Sequence, residues 1–447
     1  MQKIKSYTTL LFTLFFISLS LSGNGQTKKW TLEDCINYAL DNNINVKRQM
    51  LLAEQQRNNK KQKKFNILPS IEASGRHSFQ SGKTINYDTY SYVNQDYNYE
   101  QMSVSGDITL FNGLENLNAI KRSKYDLLAQ LESIKEAKYN VTLNVMTNYL
   151  NVLSSIEQKR IREEQLKVTL EQIEQTRQQV ELGNVAKGEL LKIKSQAATE
   201  RVNLTNAKND LKIAYLDLMQ LMNLDTAANF NIQIPDHLKM KDTSDIRTAD
   251  NIFSQAVKEY PSIQNARYQL ESNKQNLKIQ KSRLLPNITF SAYYGTYYNE
   301  LSNTLFPYET QLKENANLAL TLRLNIPIFD KFRKKTSINN AKIDIKDTRY
   351  LLEESKQNLH KNIQRARNEA TAAYKNYLSN QEAVKSSEET FTYTEERYNL
   401  GLVDLVEYRI AKNDLSRAKS DLVYAKYNYI FRLKILDFYL GKELKFN

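Results

Sequence analysis

The feature that most constrains this chain is that it is written twice. Residues 64–74 read KFNILPSIEAS and residues 282–291 read SRLLPNITFS: a helical tail, a Leu-Pro pair, then an alternating strand. Pro69 and Pro286 lie 217 positions apart. LFNG at 110–113 answers IFDK at 328–331 at an offset of 218, and the same offset joins Leu182-Gly183 to Leu400-Gly401 and Glu189 to Glu407. A register that slips by one residue across half a chain marks a duplicated domain, and its period is far too long for a solenoid repeat. Each half follows one plan: short helix, Pro, strand, polar loop, strand, very long helix, Leu-Gly turn, helix. The division predicted is a first repeat over 26–224, a linker or equatorial segment over 225–250, and a second repeat over 251–447.

Lys3 and Lys5 precede an apolar run over 10–21 and then Ser22-Gly23-Asn24-Gly25, the pattern of a secretory signal peptide over 1–25. The run is short for a bilayer span. The single cysteine, Cys35, follows Leu32-Glu33-Asp34, which lacks the small residues of a lipoprotein cleavage site, so it is expected on the buried side of the first helix. One cysteine forms no internal disulfide, and an exported domain must then be held by packing or assembly.

Only 11 Gly and 6 Pro occur in 447 residues, which argues for long uninterrupted helices. Pro69, Pro286 and Pro327 sit at helix–strand junctions, Pro235 in the linker and Pro307 in a loop. Pro261 falls near a helix start, where it is tolerated. A net charge of +13 raises nucleic acid as a partner. Lys and Arg alternate here with Glu and Gln along helix faces, however, so the charge is read as a solvated coat; that pattern and export exclude nucleic acid.

Residues 336–398 contain no Gly or Pro. Apolar or small residues recur at Ile338, Ala341, Ile345, Leu352 and Leu359, then, after a shift of one, at Ile363, Ala366, Ala370, Ala373, Tyr377, Val384, Phe391 and Tyr398. This is the 3.5-residue period of a coiled-coil seam with a stutter near Leu359. At about 1.5 Å per residue the stretch makes a rod of roughly 95 Å. Residues 114–180 match it in the first half. Both long helices end at a glycine, Gly183 and Gly401, able to take the left-handed conformation that closes a helix. Return helices over 189–223 and 404–440 complete two long hairpins with tips near residues 183 and 401.

Four strands are predicted, over about 70–80, 103–111, 287–298 and 316–327. Leu318, Leu320, Leu322, Leu324 and Ile326 alternate strictly with Asn317, Ala319, Thr321, Arg323 and Asn325. Val104, Ile108 and Leu110 oppose Ser105, Asp107 and Thr109 more weakly. Residues 81–100 and 299–315, rich in Tyr, Asn and Ser, are predicted as loops. A soluble sheet would need a covering layer, which the helices do not supply. The alternative is that the leucine face meets lipid. About nine residues tilted near 45° rise roughly 20 Å, close to the apolar band of an outer-membrane barrel. The tyrosines dense over 87–99 and 293–298 suit an interfacial aromatic girdle. Arg323, Asp107, Arg76 and Glu72 are then expected to face the barrel lumen. Four strands cannot close a barrel, and an open edge in lipid leaves backbone groups unpaired at several kcal/mol each. The chain must oligomerise. Eight strands would be filled by side chains and twelve would leave a lumen.

The ordered elements from Trp30-Thr31-Leu32-Glu33-Asp34 through Leu440-Gly441 resemble the TolC family of outer-membrane efflux channels. The resemblance implies an α+β membrane protein: a trimer whose three chains share a twelve-stranded outer-membrane β-barrel, continued by a long periplasmic α-helical barrel. It places the chain in the outer membrane of a Gram-negative bacterium, extending into the periplasm. Its partners would be two further copies, outer-membrane lipid, a periplasmic adaptor and an inner-membrane pump of RND, ABC or MFS type. In the family an acidic residue six positions past the turn glycine forms a constricting ring, which implies Glu407. A second acidic position, nine past the glycine, is Ile410 here. A latch joins a tyrosine three residues before that glycine to an acid of the first repeat, and Tyr398 and Glu189 match those positions. The latch arginine two past the glycine is replaced by Val403. The tips at Gly183 and Gly401 would meet the adaptor and pump. By spacing alone Glu407 and Glu189 read as carboxylates at solvated helix starts, which the helix dipole favours.

His77, His237 and His360 cluster neither in sequence nor by repeat, and no phosphate loop or nucleophile elbow occurs. No enzyme activity, cofactor or metal is expected. The reading is a passive exit duct for small toxic compounds in a tripartite efflux or type I secretion system. Exported peptides, proteins or metal ions are the alternative cargo. The reading of a different class is a structural periplasmic coiled-coil adaptor, which lacks four amphipathic strands.

Overall fold

The structure, a computed structural model, describes residues 29–86, 89–225, 230–235, 247–302 and 305–442. The expected signal peptide and much of the expected linker lie outside the described residues. In chain order the elements are β1 (Lys29–Trp30), α1 (Leu32–Asn42), α2 (Ile44–Phe65), β2 (Ser70–Asn86), β3 (Ser91–Phe111), α3 (Glu115–Glu181) and α4 (Lys187–Met222). There follow β4 (Asn231–Ile232), α5 (Ala249–Glu259), α6 (Pro261–Ser282), β5 (Asn287–Asn299), α7 (Tyr308–Glu314), β6 (Asn317–Asn325), α8 (Arg333–Asn399) and α9 (Leu405–Tyr439).

The duplication is visible residue by residue. Helices α5 and α6 begin and end 217 positions after α1 and α2, and α8 begins and ends 218 positions after α3. Thr31 caps α1 by accepting from Asp34 N at 3.0 Å, while the Asp34 carboxylate accepts from Thr31 N at 3.1 Å. That reciprocal box satisfies two N–H groups a helix start leaves open. Its counterpart Thr248 accepts from Asn251 N at 3.4 Å. The break at Asn43 recurs at Tyr260, and Pro261 takes the first helical position of α6, where its missing N–H forfeits no bond.

The chain divides into two compact units. One comprises residues up to Lys47, Lys138–Ile252 and the chain from Asn362 on. Its buried residues include Cys35 and Ala39 of α1, Val145, Met146 and Leu153 of α3, and Leu218 and Met222 of α4. Within the expected linker β4 pairs in parallel with β1, a ladder too short to leave a period in the sequence. The buried Tyr149 hydroxyl donates to the Gln233 carbonyl beside it at 2.6 Å.

The other unit, Arg48–Ala137 and Phe253–Lys361, holds an antiparallel sheet in the order β2-β3-β5-β6. The hairpin β2–β3 is longer than predicted, with Ser81↔Asp96 and Ile85↔Tyr92 paired where a polar loop was expected. There the backbone ladder continues after the apolar alternation stops, so the side-chain pattern carries no sign of it. The expected loop over 299–315 contains a short helical turn, Glu300–Ser302, and α7. β6 ends at Asn325, so Ile326 and Pro327 lie beyond the strand.

Directly paired residues share a face. The pairs Thr289↔Arg323, Asp107↔Ser291, Glu72↔Ser105 and Arg76↔Gln101 put all four expected lumen residues on one face, opposite Leu318, Leu320, Leu322 and Leu324. One detail departs from strict alternation. A bulge between Thr109 and Phe111 pairs Phe111, rather than Leu110, with Ile288. Tyr97, Tyr99, Tyr293 and Tyr297 lie on the Arg323 face, whereas Tyr92, Tyr294 and Tyr298 share the leucine face, so the tyrosines do not form one girdle. The two hairpins keep one register. Gly75↔Met102, moved by 217 and 218 positions, becomes Ala292↔Leu320. Among the described residues no helix is long and apolar enough to cross a membrane.

Candidate functional site

The tips of both long hairpins lie in the first unit. Gly183 and Gly401 have φ of +77° and +74°, the left-handed region in which a side chain is strained. After each, two backbone bonds close the helix: Gly183 N to Val180 O and Asn184 N to Gln179 O, then Gly401 N to Tyr398 O and Leu402 N to Arg397 O, all between 2.9 and 3.1 Å. This 5→2 and 6→1 pair satisfies carbonyls that a helix end leaves open. The chain therefore reverses at the Leu-Gly pairs seen in the sequence.

The return helices start differently. Asp404 caps α9 by accepting from Glu407 N at 2.9 Å. Ala186, at the equivalent place, gives α4 no side-chain cap. Glu407 stands in the first turn of α9, exposed, and its carboxylate accepts from Arg397 at 3.1 Å across the turn. Glu189, in the first turn of α4, pairs with Lys192 at 2.7 Å.

Glu189, Lys192, Tyr398, Gly401 and Asp404 line one cleft of about 910 Å³ between the hairpin ends. Glu189 and Tyr398 thus share a cleft, but no direct hydrogen bond joins them. Burial raises the Tyr398 phenol above its usual range; the Gln172 side chain opposes this and the nearby Glu189 charge adds to it. The Tyr398 ring packs on Tyr408 with centroids 4.8 Å apart. Behind the cleft Tyr408, Leu405 and Ile193 are buried with Ile173 and Phe391 against them, an apolar plug joining all four helices. Burial, and then the Glu395 carboxylate that accepts from its hydroxyl at 3.4 Å, push the Tyr408 phenol up strongly.

One turn further in, the core turns polar. Lys412 of α9 and Glu200 of α4 have side chains only 9% and 2% exposed and lie 3.8 Å apart. The Lys412 ammonium also donates to Thr169 Oγ1 and, at 3.2 Å, to the Gln165 carbonyl of α3. Thr169 and Gln196 both donate to the Glu200 carboxylate, the latter at 3.0 Å. Gln165 donates to the same carboxylate at 3.4 Å, so Glu200 has hydrogen bonds besides its lysine, as a buried charge pair requires. Burial holds the Lys412 ammonium below its usual pKa, with Glu200 and Glu395 opposing that shift.

Sequence reasoning singled out Glu407, Glu189 and Tyr398 and missed Arg397, Lys412 and Glu200. Arg397 was legible in part, because a reversal at Gly401 brings the last helical turn of α8 beside the first of α9. Lys412 and Glu200 carried no signal, since charged residues at helical spacing occur throughout both hairpins. In the sheet unit the four lumen candidates share one face, where Ser291 donates to the Asp107 carboxylate. Among the described residues no cluster of three His, Cys, Asp or Glu is arranged to hold a metal ion.

Comparison with known proteins adds the following. The sequence model of the outer membrane efflux protein family matches residues 35–224 and 252–442, once in each repeat. Outer membrane protein TolC of Escherichia coli K12 is 22% identical over 74% of this chain and 72% of its own length. A probable outer membrane lipoprotein, SilC of Salmonella typhimurium, is 22% identical over 88% of this chain and 82% of its own. Among solved structures the Campylobacter jejuni CmeC outer membrane channel superposes with a TM-score of 0.77 at 17% identity, covering 94% of this chain and 90% of that one.

Proposed function

The chain belongs to the outer membrane efflux protein family and acts at the outer membrane, and from that premise we propose that it is the passive exit duct of a tripartite efflux or type I secretion system. Three copies close a twelve-stranded barrel, and their hairpins line a periplasmic tunnel. An adaptor and an inner-membrane pump engage the tips at Gly183 and Gly401 and supply the energy. The cargo is small toxic compounds; peptides, proteins or metal ions are the alternative.

One observation supports this above the others. The sheet presents a leucine face while its outer strands, β2 and β6, have no partner on one side among the described residues. Backbone left unpaired in hydrocarbon costs several kcal/mol per group, so further copies must complete it. Three Glu407 carboxylates form the constriction, Glu189 and Tyr398 contribute to holding the hairpins closed, and Arg323, Asp107, Arg76 and Glu72 line the exit.

Purified full-length protein in planar bilayers tests the reading. The expected result is a heat-modifiable trimer with stepwise ion conductance. A soluble, non-conducting monomer would decide for a structural coiled-coil adaptor instead.

A further inference from the structure

The second helices of the two repeats, α2 and α6, end on matching basic stripes. Arg57, Lys61 and Lys64 of α2 are spaced four and three apart and share a helix face. Moved by 217 positions they become Lys274, Lys278 and Lys281 of α6. Most positions of these two helices differ between the repeats, yet all three keep a cation. Even the pairing is repeated: Arg57 meets Glu54 at 3.6 Å and Lys274 meets Glu271 at 2.5 Å, a carboxylate three residues earlier in both.

The other four, Lys61, Lys64, Lys278 and Lys281, are exposed, and none meets a carboxylate among the described residues. Each stripe is followed by an exposed apolar pair, Ile67-Leu68 or Leu284-Leu285. After the proline comes the strand whose Ile71 or Ile288 opens the leucine face. Lys64 and Lys281 each stand six positions before the first strand residue, Ser70 or Asn287. Flexible lysine stems reach the polar layer that flanks the hydrocarbon from there. A solvated coat gives no reason for cations that meet no carboxylate at the same two positions of each stripe, beside the apolar band. Phosphate at the membrane surface does, because juxtamembrane lysines are drawn to anionic headgroups.

We propose that Lys61, Lys64, Lys278 and Lys281 bind the phosphate groups of anionic phospholipids in the periplasmic leaflet of the outer membrane. The proposal rests on the reading that the leucine face meets lipid. It assigns the helix–strand junction a role apart from conduction.

The test uses the full-length protein in detergent, titrated with phosphatidylglycerol or phosphatidylcholine and read by lipid retention in native mass spectrometry and by thermal midpoint. Wild type should retain phosphatidylglycerol over phosphatidylcholine, with a raised midpoint and weaker retention at high salt. The Lys61→Gln/Lys64→Gln/Lys278→Gln/Lys281→Gln variant should lose that preference at least about ten-fold, while still migrating as a heat-modifiable oligomer. Arg57→Gln/Lys274→Gln, whose cations already face glutamates, should change retention little. Equal retention of both lipids by wild type, undiminished preference in the quadruple variant, or an equal loss in the control would overturn the proposal. So would a quadruple variant that keeps its lipid but loses binding to an acidic periplasmic partner. Conductance in the same preparation reports separately on the duct.

Discussion

Arg397 and Glu407 stand ten positions apart in the chain and 3.1 Å apart in space, joined across the Gly401 turn. The carboxylate expected to constrict the tunnel is therefore partly neutralised by its own chain. Both side chains are exposed, so solvent screens the pair and leaves it weak.

That pairing gives two substitutions opposite signs. Glu407→Gln should lower cation selectivity, and Arg397→Gln should raise it by freeing the carboxylate. Reversal potentials of single channels in a salt gradient measure both. Shifts in the same direction, or none, would remove Glu407 from the conduction path.

Lys412 and Glu200 are buried as a pair, so removing one charge strands the other. Lys412→Met should destabilise the hairpin unit by about 3–5 kcal/mol, and the double variant Lys412→Met/Glu200→Gln should recover most of that. A thermal double-mutant cycle reports the coupling. A double variant as unstable as the single would mean that the layer is held by its neutral hydrogen bonds.

The same lysine predicts a pH dependence. Burial holds its folded pKa below the unfolded value of 10.5, so the unfolded chain binds the proton more tightly. Below the folded pKa the penalty for burying the charge is present in full. It is relieved as pH rises from there towards 10.5, and stability rises with it. The Glu200 and Glu395 charges oppose the shift. Across that window the midpoint of wild type should gain on that of Lys412→Met. A constant difference would contradict the shift.

The repeated register predicts how copies join. The pair Ser103↔Gly295 of β3 and β5, transferred through the duplication, becomes Thr321 of β6 against Ser78 of β2 in the next copy. In a Cys35→Ala background, Thr321→Cys/Ser78→Cys should give disulfide-linked oligomers on a non-reducing gel. Thr321→Cys with Ser74→Cys, displaced by four positions, should link poorly. Equal linking would show that the barrel does not repeat its internal register between copies.

Much of the fold was legible in advance because it rests on local chemistry. Gly183 and Gly401 mark turns since only glycine takes that backbone without strain, and Leu318 to Leu324 mark a face because a strand alternates by two. The lumen candidates were legible for the same reason. The hairpin over 81–100 was not, since its polar side chains pair as well as they loop. Nor was the split of the tyrosines, because Tyr293 and Tyr294 are neighbours that point to opposite faces.

By itself, the sequence determined the duplication, the reversals and the periods, all of which follow from residues a few positions apart or one repeat apart. Only the tertiary structure decided which charges meet. Arg397 with Glu407, and Lys412 with Glu200 and Thr169, are contacts between different helices. Helical spacing offers dozens of equivalent charged positions, and the packing of four helices selects among them by burying a few and leaving the rest in water.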